Sequence, residues 1–192
     1  MTSTDTECLA STDRLVLRKF VAEDFEAYSA YRCMPSVYRF LYRDPPSPEV
    51  LRERFDASLS ASFSDNGDYL RCAVVRRDDG ALLGDVGLIL ANKAALQAEV
   101  GYVFNPAYGG KGYATEAVEA VITLGFESFG FHRIFARLDA KNIGSVGVVE
   151  RLRLRREAHL VQNDRFNGIW GDEYVYAILR QEWSERSLTG SR

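Results

Sequence analysis

The stretch Asn105 to Ala117, NPAYGGKGYATEA, places glycine at 109, 110 and 112 and then changes at once into helix-forming sequence. A glycine-rich bend that opens a helix leaves backbone N–H groups without intrahelical acceptors. The helix dipole adds partial positive charge at the same end. Together they suit an anion such as a phosphate. Two familiar phosphate motifs do not match. A dinucleotide fingerprint G-x-G-x-x-G begun at Gly110 and Gly112 meets Thr115 at its third position, and lies too late in the chain for a first βα turn. In a Walker loop, Gly110 and Lys111 would be followed by Ser or Thr; here Gly112 follows. A serine nucleophile fares no better: IGSVG, from Ile143, lacks the first glycine of G-x-S-x-G. The two histidines, His132 and His159, fall in strand-like sequence where packing or exposure accounts for them. Cys8, Cys33 and Cys72 lack C-x-x-C spacing, which argues against a disulfide framework and against a metal site.

Bulk properties narrow the partner. A chain of 192 residues, 46% hydrophobic and 27% charged, can bury one sizeable core and reads as a single domain. Its net charge of −3 lacks the basicity of a nucleic-acid binder, so a small-molecule or protein partner is expected. The beginning, MTSTDTECLASTD, is polar and acidic, and no apolar run approaches ~20 residues, so neither export nor a membrane is expected. The expected location is the cytoplasm. The oligomeric state, monomer or homodimer, stays open.

The elements that must position the bend can be read from periodicity. RLVLRKF (Arg14 to Phe20) sets Leu15 and Leu17 at a strand spacing. AEDFEAYSAYRC and SPEVLRERFDASLSASF read as helices, the second with Ser47 as N-cap and Pro48 at its first position. Three strands follow, Tyr69 to Arg77, Ala81 to Leu90 and Leu96 to Phe104, the first two joined by the hairpin signal DDG. After the bend, a helix from Gly112 to about Phe129 carries an apolar stripe of Ala114, Val118, Val121, Ile122, Gly125 and Phe129. HRIFARLDA reads as a strand, IGSVGVVERL as a short helix, LRREAHLVQ as a strand, NDRFNGIWGDE as a loop and YVYAILRQ as a last strand.

This order, with the phrases TDRLVLRKF, AEVGYVFNPAYGGKGYATEA, HRIFARLDAKNIGSVGVVERL and YVYAILRQEW, resembles the GCN5-related N-acetyltransferase (GNAT) family. Within it the chain is most similar to the branch of the ribosomal-protein alanine N-acetyltransferases and their relatives. The resemblance covers residues 11–183, leaving 1–10 and 184–192 as expected flexible tails. It implies an α/β (α+β) GNAT fold: a mixed, mostly antiparallel sheet of about seven strands flanked by about four helices. It also implies acetyl-CoA as co-substrate, no metal, and acetyl transfer to a primary amine, either a protein N-terminal α-amine or a small-molecule amine, by direct attack. On this resemblance the bend Gly109, Gly110, Lys111, Gly112, Tyr113 and Ala114 cradles the pyrophosphate. Backbone near Val103 and Phe104 pairs with the pantetheine arm, Asn142 lies against that arm, and Ser145 lies near the sulfur as general acid. The alternative role for Ser145 is a helix-start hydroxyl bonded to backbone.

Two departures stand out. Gly109 replaces the family's usual Gln, Arg or Trp, and Arg153–Leu154 replace a Gly followed by Phe or Met, so a rebuilt turn is expected after the fourth helix. These keep a second class open, a non-catalytic acyl-CoA sensor or binding module, which acetyl-CoA turnover would separate from an enzyme. In RLRLRR one or two arginines are candidates for the 3′-phosphate of CoA, against a solvated face as the alternative.

Acetyl transfer needs a neutral amine. At pH 7 a lysine amine is neutral in only ~0.04% of molecules and an α-amine in roughly 14%, so preparing the lysine costs about 3.5 kcal/mol more. Alternation along the third meander strand puts Glu99 on one face with Gln97, Gly101 and Val103. On the resemblance, Asp164 aligns with an acidic residue proposed as the base in ribosomal-protein relatives, with turn chemistry beside Asn163 as its alternative. Glu99 and Asp164 are therefore rival bases, with a water relay as a third route. Asp172 is expected to anchor the last strand. Aromatic density between Tyr28 and Pro48 makes Tyr38 and Tyr42 the candidate acceptor-binding residues, with packing between two helices as the equal alternative.

Overall fold

In a computed structural model, which describes residues 7–189, the chain forms β1 (Cys8–Ser11), β2 (Leu15–Arg18), α1 (Phe25–Arg32), α2 (Pro35–Tyr38) and α3 (Pro48–Leu59). Then come β3 (Tyr69–Arg76), β4 (Leu82–Asn92), β5 (Gln97–Phe104), α4 (Tyr113–Glu127), β6 (Arg133–Asp139), α5 (Ile143–Arg151), β7 (Arg155–Phe166), β8 (Ile169–Leu179) and α6 (Arg180–Thr189). Eight strands make one sheet in the order β1-β2-β3-β4-β5-β6-β8-β7. Every neighbouring pair is antiparallel except β5 and β6.

Strand alternation divides the core between the two faces of this sheet. Leu70, Cys72 and Val74 of β3, with Ala98 and Val100 of β5, pack toward α4 and α5, where Val118, Val121, Ile122 and Val149 are fully buried. Ala73 and Val75 point the other way, to Phe20, Tyr28, Tyr31, Leu51 and Phe55 of the α1–α3 layer, and Val103 packs against that second cluster. Burying each such side chain contributes about 1.5–3 kcal/mol, which is why a two-residue period specifies the faces so firmly.

The expected elements are present with three corrections. The sheet has eight strands rather than about seven, and there are six helices rather than about four. β1 and α6 reach into the stretches expected to be tails, while residues 1–6 and 190–192 of those tails lie outside the described residues. The segment expected as a loop, 163–173, is instead the tip of the β7–β8 hairpin, with Asp164 opposite Gly171 and Phe166 opposite Ile169. Its turn is Asn167–Gly168, both at positive φ (49° and 80°), as a two-residue I′ turn requires. The flanking residues are mostly exposed on both faces, so no apolar alternation marked them as strand. The buried stripe of α4 runs through Ala117, Val118, Val121, Ile122, Gly125 and Phe126. Phe129 lies beyond the helix end and is exposed.

The turn after α5 keeps its form despite Arg153. The Leu154 N–H donates to the Val149 carbonyl (3.0 Å) and the Arg153 N–H to that of Glu150 (2.9 Å), the two bonds of a Schellman cap. Buried Leu154 and Val149 supply its apolar contact. Arg153 therefore sits at φ 58°, where glycine is favoured. Arg153→Gly should raise stability by about 0.5–1 kcal/mol, since left-handed strain of roughly 1–2 kcal/mol is relieved and part is returned as glycine's unfolded-state entropy. Thermal denaturation should show Tm rising by roughly 2–3 °C. An unchanged or lower Tm would mean that the arginine side chain offsets its own strain.

Candidate active site

The bend is built by its glycines and by a clamp from Thr12 and Arg14, just before β2. Asn105 caps a short 3₁₀ turn, Pro106–Tyr108, by accepting from the Ala107 N–H at 3.0 Å. Gly110 and Gly112 then take φ values of 75° and 79°, and Gly112 is the N-cap of α4. The first intrahelical bond runs from the Glu116 N–H to the Gly112 carbonyl (3.1 Å). The N–H groups of Gly110, Lys111 and Gly112 have no acceptor among the described residues, and those of Tyr113, Ala114 and Thr115 precede that first bond. Arg14 secures the outer side. It donates to the Lys111 carbonyl (3.0 Å) and to Glu116 (2.7 Å), and its guanidinium stacks on the Tyr113 ring at 4.6 Å. Thr12 also donates to Glu116, whose carboxyl these bonds hold below the usual range against the opposing effect of burial, the largest single influence. Sequence reading missed this clamp because Arg14 and Glu116 are 102 positions apart and no spacing connects them.

Beside the bend, two strands separate. β5 and β6 pair at Gln97–Arg133, Ala98–Ile134 and Glu99–Phe135, and the pairing ends there, although β5 continues to Phe104. β6 instead stays with β8 as far as Asp139. The first turn of α5 stands near the gap, tied to β5 by the Tyr102 hydroxyl, which donates to the Ser145 carbonyl at 3.1 Å. Asn142 caps α5, its Oδ1 accepting from the Ser145 N–H at 3.2 Å. Burial raises the Tyr102 hydroxyl to about 12, and a hydrogen bond with the Ser145 side chain opposes that rise.

These parts line one cleft of about 990 Å³. Val103, Phe104, the whole stretch Gly109 to Ala114, Asn142 and Ser145 all face it. Lys111 and Arg151 bring cationic side chains to its wall. Of the four arginines in RLRLRR only Arg151 lines it; Arg155 pairs with Glu157 and Glu182, and Arg156 stacks on Tyr174. The size of the cleft, its unpaired amides and its open strand edge fit a long, phosphorylated, amide-bearing molecule such as an acyl-CoA.

A family model described as the acetyltransferase (GNAT) domain matches residues 14–155. The chain belongs to the GNAT family. It is 32% identical over 174 residues to the uncharacterized N-acetyltransferase YnaD of Bacillus subtilis (strain 168), covering 91% of this chain and 98% of that protein. A GNAT-family acetyltransferase from Bacillus anthracis superposes with a TM-score of 0.81 at 30% identity, covering 90% of this chain and 99% of that one. The spermidine N-acetyltransferase from Vibrio cholerae, solved with CoA and spermine, gives a TM-score of 0.79 at 22% identity, covering 90% of this chain and 99% of that one, and so shares the fold. The chain is thus a GNAT acetyltransferase enzyme.

The remaining candidates, Glu99, Asp164, Asp172, Tyr38 and Tyr42, lie outside the lining of this cleft. Glu99 sits at the last β5–β6 pair, at the mouth of the gap. Burial pushes its carboxyl above the ordinary range, the Arg137 guanidinium opposes this, and Glu173 adds to it. Arg137 makes a two-pronged ion pair with Glu173, at 2.9 and 3.0 Å, and feels both Glu99 and Asp164. The structure therefore gathers the rival bases Glu99 and Asp164 around a single guanidinium. Asp164 lies opposite Gly171, beside Tyr42. Tyr42 donates to Asp139 and occupies the space that a side chain at Gly171 would fill. Burial, then that hydrogen bond, raises its hydroxyl pKa. Neither Tyr38 nor Tyr42 lines the cleft. Tyr38 is buried, and Ser36, Val37, Phe40 and Leu41 face the cleft from that segment instead. Asp172 accepts from the Gln162 N–H and bonds His159, both at 2.9 Å, which staples β7 to β8.

Proposed function

We propose that this protein transfers the acetyl group of acetyl-CoA to a primary amine by direct attack of the amine on the thioester carbonyl. The observation that carries the reading is the meeting, in one cleft, of the unpaired bend amides, the open β5 edge at Val103 and Phe104, and the α5 start with Asn142 and Ser145. In this reading the amides from Gly110 to Ala114, with Lys111, hold the pyrophosphate, and Gly109 only shapes the bend, because its N–H donates to the Pro106 carbonyl at 3.0 Å. The β5 edge and the Asn142 amide hold the pantetheine, and Ser145 supplies a proton to the departing thiolate.

Glu99 is the base in this reading. It stands at the mouth of the strand gap, half-buried, with a carboxyl that burial raises above its ordinary range. Asp164 and Tyr42 shape the outer acceptor site. The carboxylates of Glu99, Asp139, Asp164 and Glu173 favour an acceptor that arrives as a cation, either a small-molecule amine or a peptide N-terminus. The Vibrio cholerae structural relative, named for spermidine, supports a small amine. The three free thiols support a reducing, cytoplasmic setting.

Gly110→Val tests the donor half of the proposal. A Cβ at Gly110 meets nothing within 4 Å, so the side chain enters the cleft where an anion must approach the backbone. Acetyl-CoA affinity measured by calorimetry should fall at least tenfold, about 1.4 kcal/mol, while Tm drops only by the few degrees that left-handed strain costs. Unchanged affinity would sink the proposed pyrophosphate site.

A further inference from the structure

Gly87 of β4 lies opposite Gly101 of β5 on one side and opposite Arg71 of β3 on the other. Two glycines abreast leave a trough across the sheet on the face that carries Glu99 and Val103. The Tyr69 side chain fills it. Its ring edge comes within 2.6 Å of where a Gly87 Cβ would stand, and its hydroxyl within 3.8 Å of the Gly101 Cβ position. Neither trough wall can be rebuilt easily, because a Gly87 side chain would also collide with the Leu70 carbonyl at 2.0 Å.

The ring is held in place from one side. The Arg71 guanidinium lies 4.8 Å from its centroid, donates to the Tyr28 hydroxyl at 2.9 Å and stands 3.9 Å from buried Asp85. Burial, then the Asp85 charge, raises the Tyr69 hydroxyl to about 12, with Arg71 and Arg32 opposing, so it remains neutral. A neutral hydroxyl brings no negative charge to an adjacent thioester.

Gly101 is the position midway between Val103 and Glu99 on this face. Resting on the reading of the cleft as an acyl-CoA site, the acyl group has to lie between the pantetheine edge at Val103 and the base at Glu99, and so over Gly101. We propose that Tyr69 sets the acyl-chain length that the enzyme accepts: its ring and hydroxyl close the Gly87–Gly101 trough to anything much longer than acetyl. Without the ring, the space over Gly87 and Gly101 opens and leaves room for additional methylenes.

Calorimetric titration of CoA, acetyl-CoA and hexanoyl-CoA into the full chain tests this without an acceptor. The wild type should bind acetyl-CoA at least tenfold more tightly than hexanoyl-CoA, and Tyr69→Phe should keep that preference because the ring remains. Tyr69→Ala should bring hexanoyl-CoA to within threefold of acetyl-CoA or above it, with CoA affinity unchanged. If Tyr69→Ala does not fold, Tyr69→Leu serves, since it covers Gly87 but stops short of Gly101. A wild type without preference, or a trimmed variant with the wild-type preference, overturns the proposal and leaves the cleft reading intact. A wild type that binds no CoA overturns both.

Discussion

Glu99→Gln should lower kcat/KM for amine acetylation by about 10²–10³-fold at pH 7, with acetyl-CoA affinity unchanged, because general-base assistance supplies roughly 10²–10⁴. The deficit should be largest at low pH, where the amine is mostly protonated. It should shrink as the pH nears the amine's own pKa, since a neutral amine no longer needs its proton removed first. Loss of stability does not mimic this result. The Glu99 carboxyl is raised in the folded state by burial, so folding favours its neutral form. That stabilisation is complete below the ordinary pKa of 4.5 and is lost as pH rises through the folded value, so neutral Gln at pH 7 leaves stability unchanged or improved. Asp164→Asn should weaken acceptor binding without this pH rescue. Ser145→Ala should also lack it, and its deficit should diminish with a thioester whose leaving thiol is more acidic. A normal pH–rate profile for Glu99→Gln, with pH-rescued loss in Asp164→Asn, would exchange their roles.

Asp85→Asn should destabilise the fold by about 3–5 kcal/mol and lower Tm by roughly 10 °C. Asp85 is 0% exposed on β4, with Arg32 donating to both of its oxygens, Tyr31 donating at 2.6 Å, and the Arg71 Nε 3.9 Å away as a second, non-bonded cation. Asparagine fits the space but removes the charge, leaving Arg32 almost wholly buried beside Arg71 without a counter-ion. The Arg71 Nε is already without a hydrogen-bond partner. The low dielectric that strengthens the intact network makes the broken one costly. Urea denaturation checks the magnitude, and a loss below about 1 kcal/mol would mean that water reaches these guanidiniums. Because Arg71 holds Tyr69, the same variant should also loosen acyl-chain preference.

Local signals identified most of the framework. Period-two spacing at Leu15 and Leu17, the DDG turn and the Ser47–Pro48 helix start are each written within a few residues of the structure they produce, and each occurs where expected. The Asn167–Gly168 hairpin was equally local, yet it was obscured because its strands face solvent and follow no apolar rhythm. The departure at Arg153 was visible, but its consequence was not. Buried Val149 and Leu154 retain the cap and impose a left-handed arginine, a balance of tertiary packing against local strain.

The chain's sequence by itself determined the glycine bend before a helix, the alternation that puts Glu99 and Val103 on one face, and the N-cap at Ser47. In each case the controlling forces act between residues a few positions apart. Tertiary structure alone decided where β5 and β6 part, that Arg14 clamps a bend 97 residues away, that Glu99 and Asp164 share Arg137, and that Tyr69 lies over Gly101. Those outcomes depend on strand order and register, which bring distant positions together through burial of both sheet faces and which no spacing along the chain records.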